Sequence, residues 1–170
     1  MIAAVFNGHF RKGLRFVNPN VVYLKMESSF IRIKKARFIF EQEKSEPEPA
    51  GGEYPLILLT GRGTSAQWHT QTRTAKSELL KKMYPKDVYV EISPEDARQR
   101  KISQHAWVYV TTRRDTVKAR AFIIPTVKAG QIFMSMHYPE TNRLTFPSFD
   151  PYSRQPSYKN CAVDVRKDLY

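Results

Sequence analysis

Apolar and polar positions change rhythm along the chain, and the changes separate a leader from a strand-rich body. A turn signal at Asn18-Pro19-Asn20 precedes Val21-Val-Tyr-Leu24, which reads as a short strand. From Ser28 to Glu43 the apolar positions Phe30, Ile31, Ile33, Ala36, Phe38 and Phe40 recur with a period near two, which predicts a half-buried strand. The stretch QEKSEPEPAGGEYP from Gln42 to Pro55 ends that pattern, and its prolines, glycines and glutamates predict an exposed linker. Residues 1–53 are therefore read as leader strands plus an acidic linker, and 54–170 as one domain.

The body opens with a continuous apolar run, Tyr54 to Thr60, of strand length, which Gly61-Arg62-Gly63 ends abruptly. Lys76–Met83 fits a short amphipathic helix stopped by Pro85, and Asp87–Ile92 alternates as a strand does. Ser93 to Arg100 reads as a helix start, with serine as N-cap, proline at the first helical position and acids in the first turn. Ala106–Arg113 and Val117–Pro125 predict a hairpin turning at Arg114-Asp115-Thr116. Gln131–Met136 and Cys161–Val165 predict two more strands, with an ordered loop from His137 to Ser157 between them. Strands outnumber helices and the helices are short. The expected architecture is mainly β, a closed barrel with small helices at its rim.

Composition narrows the chemistry. Apolar residues make up 41% of the chain and charged residues 26%, which suits a soluble globular domain. No apolar run approaches the roughly 20 residues that cross a bilayer. The start MIAAVFNGHFRKG places its charges after the apolar stretch, the wrong order for a secretory signal, so a cytoplasmic setting is expected. A single cysteine, Cys161, cannot form an internal disulfide, hold an iron–sulfur cluster or build a thiolate zinc site. His9, His69, His105 and His137 are scattered without ligand spacing. The net charge of +12 divides into +7 over residues 1–40, −4 over 41–53 and +9 over 54–170. Nucleic acid, an anionic membrane face and a phosphate-rich cofactor all fit such a charge, as does a merely solvated basic surface.

The richest segment runs from Thr60 through Thr70 to Thr74: TGRGTSAQWHT, then QTRT. Its glycines are expected to let the backbone turn tightly or take positive φ. Arg62, Arg73, the Trp68 indole N–H, His69, several hydroxyls and exposed amides then offer donors to an anionic, phosphate-bearing ligand. Trp68 can also cover a purine or pterin face. The segment is not a Walker loop, because no GKS or GKT follows, nor a dinucleotide fingerprint that opens a long helix. A polar surface loop with a half-buried tryptophan has the same composition.

A further set of ordered matches carries a resemblance. Thr60-Gly61-Arg62 is followed by Trp68-His69-Thr70, Thr72 and Thr74, then by Glu91-Ile92-Ser93-Pro94-Glu95-Asp96-Ala97 and a hairpin from Val108 to Ala121. Val127, Gly130 and Phe133 to His137 come next, then Asn142-Arg-Leu-Thr145, Asp150-Pro-Tyr-Ser153 and Pro156-Ser-Tyr-Lys-Asn-Cys-Ala-Val163. In this order the stretch Tyr54–Val165 resembles the C-terminal cofactor-binding domain of the molybdopterin oxidoreductases, which include nitrate reductases and formate dehydrogenases. The loop version, with Gln67 before the tryptophan and Thr-Arg-Thr at 72–74, is most similar to the assimilatory nitrate reductase branch.

The resemblance implies a six-stranded double-psi β-barrel. It implies as cofactor molybdenum bis(molybdopterin guanine dinucleotide), held together with upstream catalytic domains of the same enzyme. The residues expected to line it are Thr60, Gly61, Arg62, Gly63, Trp68, His69, Thr70 and Thr72, with Asn142, Tyr158 and Lys159 reaching it from later segments. Met136 and His137 match the substrate side. No catalytic side chain and no metal ligand is expected in this chain. The iron–sulfur cysteines and the molybdenum ligand of the family lie upstream, and nothing in residues 1–50 is similar to them, which suggests an expressed fragment or an orphan reading frame. The loop between Arg62 and Trp68 is one residue longer than in many relatives. The implied reaction of the complete enzyme is reduction of nitrate to nitrite. The alternatives are a formate dehydrogenase-like enzyme, a stand-alone basic nucleic-acid-binding module, and a structural domain that packs through its leader. No membrane partner is expected, and no nucleic-acid partner either, because aromatic and basic residues are not interleaved in a stacking pattern along the chain.

Overall fold

In the computed structural model, residues 15–18, 21–23, 46–150 and 154–168 are described. The chain divides between Lys44 and Ser45 into two units. In the first, β1 (Arg15–Asn18) and β2 (Val21–Tyr23) pair antiparallel, which agrees with the turn signal at Asn18-Pro19-Asn20. The strand expected over Ser28–Glu43 lies outside the described residues.

The second unit holds β3 (Leu56–Gly61), α1 (Glu78–Lys81), β4 (Tyr89–Ile92), α2 (Pro94–Gln99), β5 (Trp107–Thr111), β6 (Thr116–Ile123), β7 (Gln131–Ser135), α3 (Pro139–Leu144) and β8 (Asn160–Lys167). Six strands close into a barrel in the order β3-β7-β4-β6-β5-β8. Two pairs are parallel, β3 with β7 and β4 with β6, and the others are antiparallel. This is the expected double-psi β-barrel.

Period-two alternation sets which side chains fill it. Leu56 and Leu58, Val90 and Ile92, Val108 and Val110, Ile132 and Met134, and Val163 and Val165 point into the core. On β6 the inward residues are Val117, Ala119 and Ala121, small enough for neighbouring strands to crowd the axis. The continuous apolar run of β3 is in fact two-sided, with Leu56 and Leu58 buried and Ile57 and Leu59 only half-covered on the outside.

The barrel end that matters here gathers the C-terminal ends of β3, β5 and β7 and the N-terminal ends of β4, β6 and β8, as their pairing directions require. Leu144, fully buried, plugs it from α3. Its carbonyl accepts from Arg114 Nε at 2.9 Å and from Cys161 Sγ at 3.4 Å. Burial pushes the Cys161 thiol up to about 11, so it is the inert core group expected.

The opposite end is fixed by α2. Ser93 Oγ accepts from the Asp96 amide at 3.0 Å and donates to Asp96 Oδ2 at 2.7 Å, as its reading as N-cap requires. Asp96 Oδ2 also accepts from the Gly130 amide at 2.9 Å and so ties this helix to the entry of β7.

Three expectations need correction. The ordered loop from His137 contains α3. Pro139 and Glu140 suit its first turn, and the single apolar anchor Leu144 leaves too little periodicity to betray six residues of helix. The linker is not exposed throughout. Glu48 is 8% exposed and docks on the barrel, because two arginines compensate its charge. The amphipathic helix over 76–83 shrinks to the four residues of α1 after a 3-10 turn at Thr74–Lys76, and none of its residues is buried. Its apolar side chains Leu79 and Met83 are exposed.

Candidate functional site

The segment leaving β3 stays close to the barrel mouth for its first residues. The Thr60 amide donates to the Lys159 carbonyl at 2.9 Å, and Thr60 Oγ1 donates to the Tyr158 carbonyl at 2.6 Å. The Met136 amide donates to the Gly61 carbonyl at 2.8 Å. Three segments far apart in sequence, 60–62, 136–137 and 158–159, thus meet at one end of the barrel. α3, with the exposed Asn142, follows His137 directly.

The glycines matter for space, not for φ. Neither Gly61 nor Gly63 has positive φ, contrary to one expectation. A Cβ on Gly63 would lie 2.2 Å from Gln67 Oε1 and 2.7 Å from Ser135 Oγ, and one on Gly61 would lie 3.1 Å from the Phe133 ring. Gln67 is fully buried and its Oε1 accepts from the Thr64 amide at 3.2 Å, so the loop folds around its own glutamine. Gly63→Ala is expected to cost about 1–3 kcal/mol by overpacking. Thermal unfolding would measure that loss, and an unchanged midpoint would contradict the contact.

Left-handed backbone occurs further along, at His69 (φ 50°) and Gln71 (φ 62°). Each such non-glycine residue costs about 1–3 kcal/mol, which the surrounding turn must offset. The loop presents its donors outward. Arg62 is exposed and Trp68 is 59% exposed. Arg62 Nη2 lies 3.3 Å from His69 Nδ1, and its guanidinium carbon lies 6.0 Å from the centre of the Trp68 ring. Arginine only donates, so in this contact His69 Nδ1 is the acceptor. The Trp68 and His69 rings meet edge to face at 5.0 Å. The hydroxyls of Thr70 and Thr72 pair at 2.8 Å.

At the root of the loop, His137 is half-buried, and its Nε2 has no hydrogen-bond partner among the described residues. Burial, helped by the Arg62 charge, holds its pKa below the ordinary value, so this imidazole is neutral at neutral pH. On the other flank Lys159 is exposed, with its ammonium 5.9 Å from the centre of the half-open Tyr158 ring. Neither Arg62 nor Lys159 has an ion-pair partner among the described residues.

The structure therefore brings Thr60, Gly61, Arg62, Met136, His137, Tyr158 and Lys159 together at the mouth, and extends the site outward along Trp68, His69, Thr70 and Thr72. Gly63 packs closely against Gln67 and Ser135 at the start of the loop. Sequence reasoning missed Gln67 as the residue that shapes the loop. It also missed Tyr138, buried beside Tyr89 (ring centres 5.7 Å apart), whose hydroxyl donates to the Pro85 carbonyl. Two uncompensated cations, an exposed indole, paired hydroxyls and a buried ring nitrogen lacking a partner form a donor set that suits a diphosphate-bearing planar heterocycle.

Comparison with known proteins covers the same stretch of chain. The chain matches the molydopterin dinucleotide binding domain over residues 56–162. It is 41% identical over 132 residues to the F420-dependent formate dehydrogenase 1 subunit alpha of Methanococcus maripaludis, covering 76% of this chain and 19% of that one. It is 38% identical to the periplasmic nitrate reductase of Desulfovibrio desulfuricans (73% and 16%), and 35% identical to the assimilatory nitrate reductase of Haloferax mediterranei (76% and 18%). The chain thus spans about a fifth of the length of these relatives. The acetylene hydratase of Pelobacter acetylenicus shares the fold, with a TM-score of 0.56 at 18% identity over 68% of this chain and 19% of that one. Among the described residues no helix is long and apolar enough to cross a membrane. By the match that spans its barrel, this chain belongs to the family of molydopterin dinucleotide-binding domains, which nitrate reductases and formate dehydrogenases share.

Proposed function

We propose that the mouth of this barrel holds molybdenum bis(molybdopterin guanine dinucleotide) jointly with upstream domains of a molybdenum oxidoreductase, and that the complete enzyme reduces nitrate to nitrite. The observation that carries the reading is the convergence of Arg62 and Lys159, both uncompensated by carboxylates among the described residues, on one barrel end. When bound, the group supplies two-electron chemistry at molybdenum, and the protein contributes binding, orientation and electrostatics. Arg62 and Lys159 neutralise diphosphate oxygens, and Arg62 offers a planar fork of donors. Trp68 covers a flat ring. Thr70 and Thr72 present hydroxyls. Asn142 stands on α3 beyond His137, where an amide can read a heterocycle edge. Neutral His137 keeps a ring nitrogen available at the root without adding charge. Any iron–sulfur cluster belongs to other parts of the complete enzyme, because Cys161 is alone and buried.

A second reading, formate oxidation, is favoured by the 41% identity to the formate dehydrogenase subunit. Dye-linked assays of the purified holoenzyme separate the two. The first reading expects nitrate reduction with reduced viologen, and formate oxidation without nitrate reduction would overturn it in favour of the second.

A further inference from the structure

Two buried polar side chains stand behind the residues that line the mouth. Gln67 is 1% exposed although it directly precedes Trp68, which is 59% exposed. Its Oε1 accepts from the Thr64 amide at 3.2 Å, and it packs with Ser135 beside Gly63, where an added Cβ would meet both side chains. The chain then turns outward within two residues, and His69 takes its positive φ there. Ser135 belongs to the other side of the mouth. Its Oγ accepts from the His137 amide at 3.4 Å and its carbonyl accepts from Thr141 Oγ1 at 2.8 Å, so His137 and the first turn of α3 fold around it. Tyr138 pins the same segment from behind. It stands edge-on to Tyr89, and its hydroxyl donates to the Pro85 carbonyl.

The two side chains also meet each other. Burial pushes the Tyr138 hydroxyl pKa up, and the nearby Gln67 amide opposes that push. No group among the described residues meets Gln67 Nε2 in full hydrogen-bond geometry. A buried donor without a partner is unfavourable, and an apolar side chain of equal length would fill the space without that cost. Stability alone therefore does not account for an amide at this position. We propose that Gln67 and Tyr138 form a buried positioning pair, which holds the loop bearing Arg62, Trp68 and His69 at a fixed spacing from His137 and α3, so that both sides of the mouth reach one ligand together. The proposal rests on the dinucleotide reading above and adds the groups that set its geometry; neither residue touches the ligand. The His137 ring reports the spacing. Burial and then the Arg62 charge hold its pKa down, and both depend on the loop lying against it.

Tyr138→Phe keeps the ring against Tyr89 and removes only the hydroxyl, and Gln67→Met keeps the length and removes the amide. The readouts are NMR titration of the His137 ring in the full chain, thermal unfolding of the same samples, and molybdenum and pterin per polypeptide in the holoenzyme. Each single variant is expected to raise the His137 pKa toward the ordinary 6.5, with midpoints within a few degrees of wild type. The double variant should add little to either shift, because the two groups act as a unit. Cofactor content should fall about tenfold in each variant. A wild-type His137 titration in both single variants, whatever the midpoints do, would overturn the pair. A shifted titration with full cofactor content would keep the pair and overturn the mouth as the dinucleotide site.

Discussion

Replacing Glu48 with alanine is expected to destabilise the barrel by about 3–5 kcal/mol, whereas Glu53→Ala, an exposed change five residues on, should stay within about 0.5 kcal/mol. Glu48 Oε1 accepts from Arg113 Nη1 at 2.9 Å and Arg114 Nη1 at 3.0 Å, and Oε2 accepts from Arg114 Nη2 at 2.8 Å and the Ala162 amide at 3.3 Å. Arg113 is half in solvent and loses little. Arg114 is 22% exposed and would lose every carboxylate contact, keeping the Leu144 carbonyl, the Cys161 sulfur and the Phe146 ring, so the cost is that of a covered guanidinium without a counter-charge. The same cluster predicts an acid response. Burial raises the Glu48 pKa, but the hydrogen bonds from Arg114 and Arg113 outweigh it and leave the folded value below the ordinary 4.5. A depressed folded pKa contributes stability that is complete above the unfolded value and lost as pH falls through the folded one. Urea unfolding should therefore show the wild-type advantage over Glu48→Gln at neutral pH and its disappearance in acid below about 4.5. A Glu48→Ala midpoint equal to wild type would show that the acidic segment does not hold the hairpin.

Arg62→Ala and Lys159→Ala should each reduce retention of the dinucleotide in the holoenzyme by about ten- to a hundredfold, the effect of one charge-assisted contact to phosphate. Stability should not follow, because both side chains are exposed and unpaired with carboxylates among the described residues. The paired readouts are molybdenum and pterin per polypeptide, and the thermal midpoint. Low cofactor content with an unchanged midpoint supports direct contact, whereas unchanged content in both variants removes them from the site. Arg62→Lys keeps the charge but loses the planar fork and the packing against Trp68, so partial loss is expected. The double variant should be additive only if the two cations meet separate parts of the ligand.

Fold and site were legible to different depths. The barrel strands declared themselves because inward and outward positions alternate, as in Trp107–Thr111 and Thr116–Ile123. The cap at Ser93 was legible because capping is local chemistry. α3 was hidden because its one buried anchor, Leu144, serves the barrel mouth rather than a helical stripe. Glu48 was hidden because its partners lie about 65 residues away, and no local pattern marks them. Pairing also places Trp107 opposite Arg120 and Tyr109 opposite Lys118, stacking cations on rings that are not interleaved along the chain. The exposed end of the 60–74 loop was legible from its residue types. Its buried support was not, because Gly63 and Gln67 act by filling space against Ser135, a long-range fit.

Backbone amide chemical shifts of the full chain, followed while GDP is added, test most directly where the ligand sits. Shifts should concentrate in residues 60–74, 136–142 and 158–160. Shifts centred on Ser93–Arg100 and Gly130 at the other barrel end, or none at millimolar nucleotide, would contradict the assignment of the mouth as the binding surface.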